Sequence, residues 1–265
     1  MDKAEIRYFP GSRDLEQMSA CFTEHEFPRH CHHTYLIEVV TAGIDETVCG
    51  REVYRAGSGD IFFIHPGEVH TGKSVGEVPL EYEAVYPSVR LMKRLAEEVG
   101  QPSPPDFRAT VVHDPVLANA FVEAARTENR SAGRIEMETV IKRLIEKYAL
   151  TTSLSGDREE PFAVRQIKDL VKANPAKNHR LEDLAAHCGF SPYHLVRMFK
   201  RTVGLPPHEY LHAYRTELAR EMLRQGKPAW LASDLLGYAD QAHFTRKFRQ
   251  LVGVSPGQFR RKEAH

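Results

Sequence analysis

The sequence predicts a two-domain α+β protein, with a small β-barrel and two helices toward the amino terminus and an all-α domain of two helix-turn-helix units behind it. Three observations carry this. Short apolar runs punctuated by glycine fill residues 21 to 86, the mark of closely spaced strands. The last hundred residues repeat themselves: His194, Leu195, Arg197, Phe199, Gly204, Pro207 and Tyr210 recur as His243, Phe244, Arg246, Phe248, Gly253, Pro256 and Phe259, each 49 positions later. Finally, a net charge of zero hides a division, with 18 basic against 27 acidic residues as far as Pro161 and 18 against 9 beyond it. Only the second part carries a charge suited to a polyanion.

Taken in order, Tyr35 to Thr41, Glu46 to Cys49 and Asp60 to Ile64 read as strands, separated by turns at Gly43, Gly50, Gly57, Gly59 and Gly67. Val89 to Val99 reads as a helix, followed by a bend at Pro102, Pro104 and Pro105. Two amphipathic stripes follow, Val116, Leu117, Ala120, Phe121 and Ala124, then Val140, Ile141, Leu144, Ile145 and Tyr148. They bury themselves against the barrel or form a seam between two copies of the chain; the pattern leaves both open. The polar stretch from Thr151 reads as a linker. Domain bounds are accordingly expected at 1–110 (sensing), 111–152 (coupling or dimerisation), 153–161 (linker) and 162–265 (reading). The last is expected to hold seven helices: Phe162 to Ala173, Leu181 to Cys188, Pro192 to Val203, His208 to Arg224, Ala229 to Leu236, Gln241 to Leu251 and Pro256 to Arg261. Gly189 and Gly237 stand where a left-handed turn must end a helix.

The four cysteines, Cys21, Cys31, Cys49 and Cys188, show no Cys-x-x-Cys pairing, and the chain opens on Met1, Asp2 and Lys3. Both features predict a cytoplasmic protein without a leader. No apolar run approaches the roughly 20 residues that cross a bilayer, so no membrane partner is expected. Neither a Gly-x-x-x-x-Gly-Lys loop nor a Gly-x-Ser-x-Gly elbow is present.

The run Gly237, Tyr238, Ala239, Asp240, Gln241, Ala242, His243, Phe244, Thr245, Arg246, Lys247 and Phe248, continuing to Gly253, Val254, Ser255, Pro256, Phe259 and Arg260, resembles the signature of the AraC/XylS family of bacterial transcription regulators. Leu184, Ala185, Gly189, Phe190, Ser191, His194, Leu195, Arg197, Phe199, Lys200 and Gly204 resemble it in the first copy, so the likeness covers residues 162 to 262. It implies that Tyr193, Val196 and Arg197, with Gln241, Ala242, Thr245 and Arg246, face the major groove of double-stranded DNA. By chemistry, arginine suits guanine, glutamine suits adenine, and a methyl group meets thymine. Lys200, Arg201, Lys247 and Arg249 are cast as phosphate contacts that set register. Arg197 and Arg246 have an alternative in ion pairs inside the domain, and His194 and His243 are expected to pack or cap rather than read bases. Two units on one connector should enter successive grooves about 34 Å apart.

The second unit departs from the first in its leading helix. Ala229, Ala232 and Ser233 stand where Leu181, Leu184 and Ala185 stand, which pushes Trp230 outward unless the helix is rotated to bury it.

His30, His32, His33, Tyr35 and Glu38, with Gly59, Asp60, Pro66, Gly67, Glu68, Val69 and His70 downstream, resemble the two cupin motifs as AraC-type regulators carry them. Alternation on a strand would put His30 and His32 on one face, and His70 would converge on them. Three readings stay open. In the preferred one His30, His32, Tyr35, Glu38 and His70 line a pocket for a small organic effector, and no cofactor is needed. In a second, His30, His32, Glu38 and His70 hold a metal ion; five residues between His32 and Glu38, where three or four are the pattern, weigh against it. In the third the histidines are structural. The function expected is a ligand-responsive transcription regulator rather than an enzyme, with RNA polymerase and a second copy of the chain as further partners left open. The alternatives are a metal-dependent cupin enzyme fused to a DNA-binding module, and an alkyl-repair protein using Cys31 as nucleophile.

Overall fold

A computed structural model describes residues 2–9, 14–101, 104–150 and 160–260. They divide into two compact units, a sheet-rich one of residues 2–26 and 32–150, and one in which the helices of residues 160–260 are joined by the short segment Phe27–Cys31. The linker expected at 153–161 lies almost wholly outside the described residues, as do Pro102 and Arg261.

The strands are β1 (Lys3–Tyr8), β2 (Leu15–Phe22), β3 (Glu26–His30), β4 (Leu36–Ala42), β5 (Asp45–Cys49), β6 (Glu52–Ala56), β7 (Asp60–Ile64), β8 (His70–Ser74), β9 (Leu80–Pro87) and β10 (Val111–His113). They assemble into a six-stranded sheet, β1-β2-β9-β4-β7-β10, and a four-stranded one, β3-β8-β5-β6. Gly43, at φ +71°, turns β4 into β5, and a Cβ there would sit 2.5 Å from the Pro79 carbonyl oxygen, so no other residue fits.

β1 and the start of β2 escape the sequence pattern for a physical reason. Glu16 and Gln17 are polar yet buried, which breaks the alternation that marks a strand. They are tolerated because they are bonded, Glu16 accepting from the Tyr8 hydroxyl at 3.1 Å. Gln17 Nε2 donates to the Ala125 carbonyl (2.8 Å) and Glu83 Oε2 (3.2 Å), while Arg130 donates to Gln17 Oε1 (2.9 Å).

Three helices cover the larger sheet: α1 (Val89–Glu98), α2 (Pro115–Arg126) and α3 (Arg130–Tyr148). Leu15, Ile37, Val39, Ile61, Phe63 and Val85 of the sheet share one core with Leu95, Phe121, Ile141 and Leu144 of the helices, so both stripes bury against the strands. The stripe of α2 is not the expected one. Leu117, Ala118, Phe121, Ala124 and Ala125 are buried, whereas Val116 is 75% exposed. The cause is the cap: the Asp114 carboxylate accepts from the Leu117 backbone N–H (3.1 Å), which starts the helix at Pro115 and turns Val116 outward. Asp114 also accepts from Lys147 Nζ (2.7 Å) and the Tyr148 hydroxyl (2.8 Å), clamping the start of α2 to the end of α3.

The helical unit contains α4 (Phe162–Ala173), α5 (Leu181–His187), α6 (Pro192–Val203), α7 (Pro207–Arg224), α8 (Ala229–Leu235), α9 (Gln241–Val252) and α10 (Pro256–Arg260), within a residue of the bounds read from the sequence. The long helix α7 packs against α4 and α6, and also against α8, α9 and α10. It is the common wall of both helix-turn-helix units.

Candidate nucleic-acid interface and effector site

The helices α6 and α9 are built alike. Each opens on a side-chain cap: Ser191 Oγ accepts from the His194 N–H (3.3 Å), and Asp240 Oδ1 from the His243 N–H (2.6 Å). Each closes on a left-handed glycine, Gly204 at φ +87° and Gly253 at φ +82°. Leu195 and Phe199 bury the inner face of α6, and Phe244, Phe248 and Val252 that of α9.

What remains faces outward. Tyr193, Arg197, Lys200 and Arg201 are exposed and Val196 half-buried; Gln241, Ala242, Arg246 and Arg249 are exposed and Thr245 and Lys247 half-buried. The two histidines pack as expected. The His194 ring stacks on Phe190 at 4.9 Å, and that of His243 meets Tyr238 edge-on at 5.6 Å. Trp230 is 59% exposed while Ala232 and Ser233 are buried, so α8 is not rotated to hide its tryptophan.

A residue that the sequence reading missed fixes this arrangement. Arg215 of α7 is 1% exposed. Its guanidinium donates to the carbonyls of Pro175 (2.7 Å), Ala176 (3.1 Å) and Lys177 (3.3 Å) and to Asn178 Oδ1 (2.9 Å), and it lies over the Tyr238 ring at 5.6 Å. The turn entering the first unit is thereby tied to the turn of the second. Gly237 shares this junction, since a Cβ there would fall 1.9 Å from the Ala176 carbonyl oxygen. An arginine in a helix gives no sequence signal of such a role, because its partners lie some 40 residues away.

The expected effector cluster divides. His30, His32 and His70 are all buried; the rings of His32 and His70 lie 5.2 Å apart within one compact unit, whereas His30 belongs to the other. His30 ends β3 and His32 follows it, so strand alternation does not put them on one face. Burial first, and then the neighbouring His32, push the His70 imidazole down to about 3, which keeps it neutral.

Glu38 stands apart from the trio, paired with Asp45. Burial and then the Asp45 charge push Glu38 well above the usual carboxylate range, and burial raises Asp45 to about 6. Tyr35 is also elsewhere, buried with its hydroxyl donating to the Pro105 carbonyl at 2.9 Å. Beside it His65, likewise missed, accepts from the Phe107 N–H at 3.0 Å and faces Glu68 at 3.3 Å. Cys31 is buried, and burial pushes its thiol up to about 11, the opposite of an activated nucleophile. Among the described residues no helix is long and apolar enough to cross a membrane.

A sheet domain with a polar buried cluster and a basic helical domain presenting two equivalent capped helices define a class: a two-domain DNA-binding regulator with a ligand-binding module. The sequence profile of the AraC-like ligand binding domain matches residues 14–145, and that of a helix-turn-helix domain matches residues 184–262. The chain belongs to the AraC family of ligand-responsive, DNA-binding transcription regulators. It is similar to the uncharacterized HTH-type transcriptional regulator YbfI of Bacillus subtilis, 27% identical over 82% of this chain and 81% of that one. It is also similar to the HTH-type transcriptional activator RhaS of Escherichia fergusonii, 24% identical over 96% and 95% of the two chains. The crystal structure of unsaturated fatty acid bound ToxT from Vibrio cholerae shares its fold at a TM-score of 0.56, 11% identity, and coverage of 99% of this chain and 95% of that one.

Proposed function

We propose that the chain is a cytoplasmic, non-enzymatic regulator that reads one long, asymmetric operator with α6 and α9 in successive major grooves, and that a small molecule bound in the sheet domain sets its occupancy of DNA. The observation that carries the reading is the matched pair of helices, with equivalent caps, equivalent buried faces and polar, basic outer faces. Tyr193, Val196 and Arg197 on the first, with Gln241, Ala242, Thr245 and Arg246 on the second, read base edges. Lys200, Arg201, Lys247 and Arg249 hold phosphates.

On this reading residues 1–110 sense and 111–152 couple or dimerise. The exposed Val116 and Ile135 on α2 and α3 support a contact with a second copy. RNA polymerase is the partner through which occupancy is turned into transcription. The small molecule acts by population shift, since a ligand that prefers one conformational state biases DNA binding, and DNA must alter ligand affinity reciprocally. The raised thiol of Cys31 speaks against alkyl transfer.

The test separates base reading from phosphate binding. Arg246→Ala is expected to lose about 1 to 3 kcal/mol of discrimination at one base position, while Lys247→Ala weakens all sequences alike and flattens the salt slope. Equal losses on operator and random DNA for both variants would overturn the assignment.

A further inference from the structure

We infer that the small molecule bound by the sheet domain is an organic cation with a primary ammonium group, held between the buried carboxyl groups of Glu38 and Asp45; this rests on the sensing role proposed above for that domain.

Strand register places the site. Met18, Ala84, Glu38 and Phe62 stand opposite one another in a row across β2, β9, β4 and β7. The row faces away from the helices, because the adjacent Ile37, Val39 and Val85 belong to the helix-covered core and successive residues of a strand point to opposite faces. Tyr82, two positions before Ala84 on β9, shares the face of Glu38. Asp45 opens β5 of the other sheet, so the two carboxyl groups come from different sheets.

The groups gathered here are rich in acceptors and short of donors. Glu38 is 7% exposed, and its Oε1 is buried with no hydrogen-bond partner. The buried Tyr82 hydroxyl reaches the Met18 sulfur at 3.9 Å, a weak acceptor. Asp45 accepts from the Thr47 hydroxyl (2.9 Å) and the Lys73 backbone N–H (3.2 Å), both neutral donors. Among the described residues of this unit no lysine or arginine is buried, and the Lys73 ammonium turns to Glu46 instead.

Burial together with the charge of Asp45 keeps a proton on Glu38. An ammonium group brings three N–H donors and the missing positive charge. On binding it replaces that proton: Glu38 ionises, the proton passes to solvent, and a hydrogen-bonded ion pair remains inside. Asp45 from β5 and Tyr82 from β9 are the titratable groups that face Glu38, with Glu46 acting on Asp45. A carboxylate ligand would be repelled here, and a neutral alcohol would bond Oε1 without balancing the charge.

The test is isothermal titration of the full chain with ethanolamine, putrescine and glucosamine, against ethylene glycol, butane-1,4-diol and glucose as neutral counterparts and succinate as an anion. At least one amine is expected to bind while its neutral counterpart and succinate do not. Titrations in phosphate and in Tris should show about one proton released per amine bound. Glu38→Gln, which keeps the shape and removes the charge, should weaken binding by more than about 30-fold and abolish the proton release; Asp45→Asn is a second variant with the same expected loss of affinity. Glu81→Gln, at an exposed position of β9, leaves binding and proton release unchanged. Circular dichroism reports the folding of each variant, and operator binding with and without the amine reports the proposed regulation, so a failure of either is distinguishable from a failure of this site. Binding of none of the three amines, equal binding of a neutral counterpart, or binding that both Glu38→Gln and Asp45→Asn leave intact would overturn the inference.

Discussion

The two helix-turn-helix units share their reading helices and differ in what holds them. In the first, α5 buries Leu184 and Ala185 beneath a turn whose Gly189, at φ +71°, faces open space. In the second, α8 buries only the small Ala232 and Ser233 and leaves Trp230 and Leu235 outside. Its Gly237, at nearly the same φ of +70°, is jammed against the Ala176 carbonyl. The second unit thus replaces apolar mass by close approach and by the guanidinium of Arg215. Equivalent sequence positions carry unequal structural weight, and the difference lies in the neighbours each meets.

Removing the shared clamp should break the comparison most severely. Arg215→Ala removes the hydrogen bonds to three carbonyls and to Asn178 and leaves a cavity where a fully buried side chain stood, a loss of about 3 kcal/mol by urea unfolding. A loss below 1 kcal/mol would show that the clamp is incidental.

The two turn glycines sharpen the contrast. Gly189→Ala pays only for a left-handed backbone, about 1 kcal/mol, whereas Gly237→Ala adds a backbone collision and should cost about 3 kcal/mol or more. Equal melting shifts for the two variants would contradict the close approach.

The caps differ in a subtler way. Ser191→Ala should cost about 1 kcal/mol at every pH. The Asp240 carboxyl is held below its ordinary 3.8 chiefly by the His243 N–H. Its contribution is therefore full above the unfolded value and is lost as pH falls through the depressed folded one. Acid titration of α9 should show this and α6 should not; identical acid profiles would remove the distinction. Smallest of all, Trp230→Ala should change stability by no more than about 0.5 kcal/mol, because the side chain is exposed.

The sequence disclosed most where structure is local. The seven reading-domain helices followed from periodicity, caps and glycine stops, all within a turn or two of the residues concerned. Strands β4, β5 and β7 followed from short apolar runs and glycine turns. What stayed hidden depended on distant partners. The Glu16–Gln17 pair concealed β2 because Gln17 is satisfied by Glu83, Ala125 and Arg130, and Glu16 accepts from the Tyr8 hydroxyl. Arg215 and His65 looked like ordinary surface residues until the chain segments near Pro175 and Phe107 closed on them. His32 and His70 were legible as neighbours, but the pairing of Glu38 with Asp45 was not, since the two stand on β4 and β5 of different sheets and meet only in the tertiary fold.

The central claim is that α6 and α9 read two separate stretches of one operator. It is tested most directly by selecting binding sites from random DNA with the full chain and with Arg197→Ala and Arg246→Ala. The account predicts that each variant relaxes preference in its own group of base pairs, the two groups lying about ten base pairs apart. Relaxation of the same base pairs by both variants, or of none by either, would contradict it.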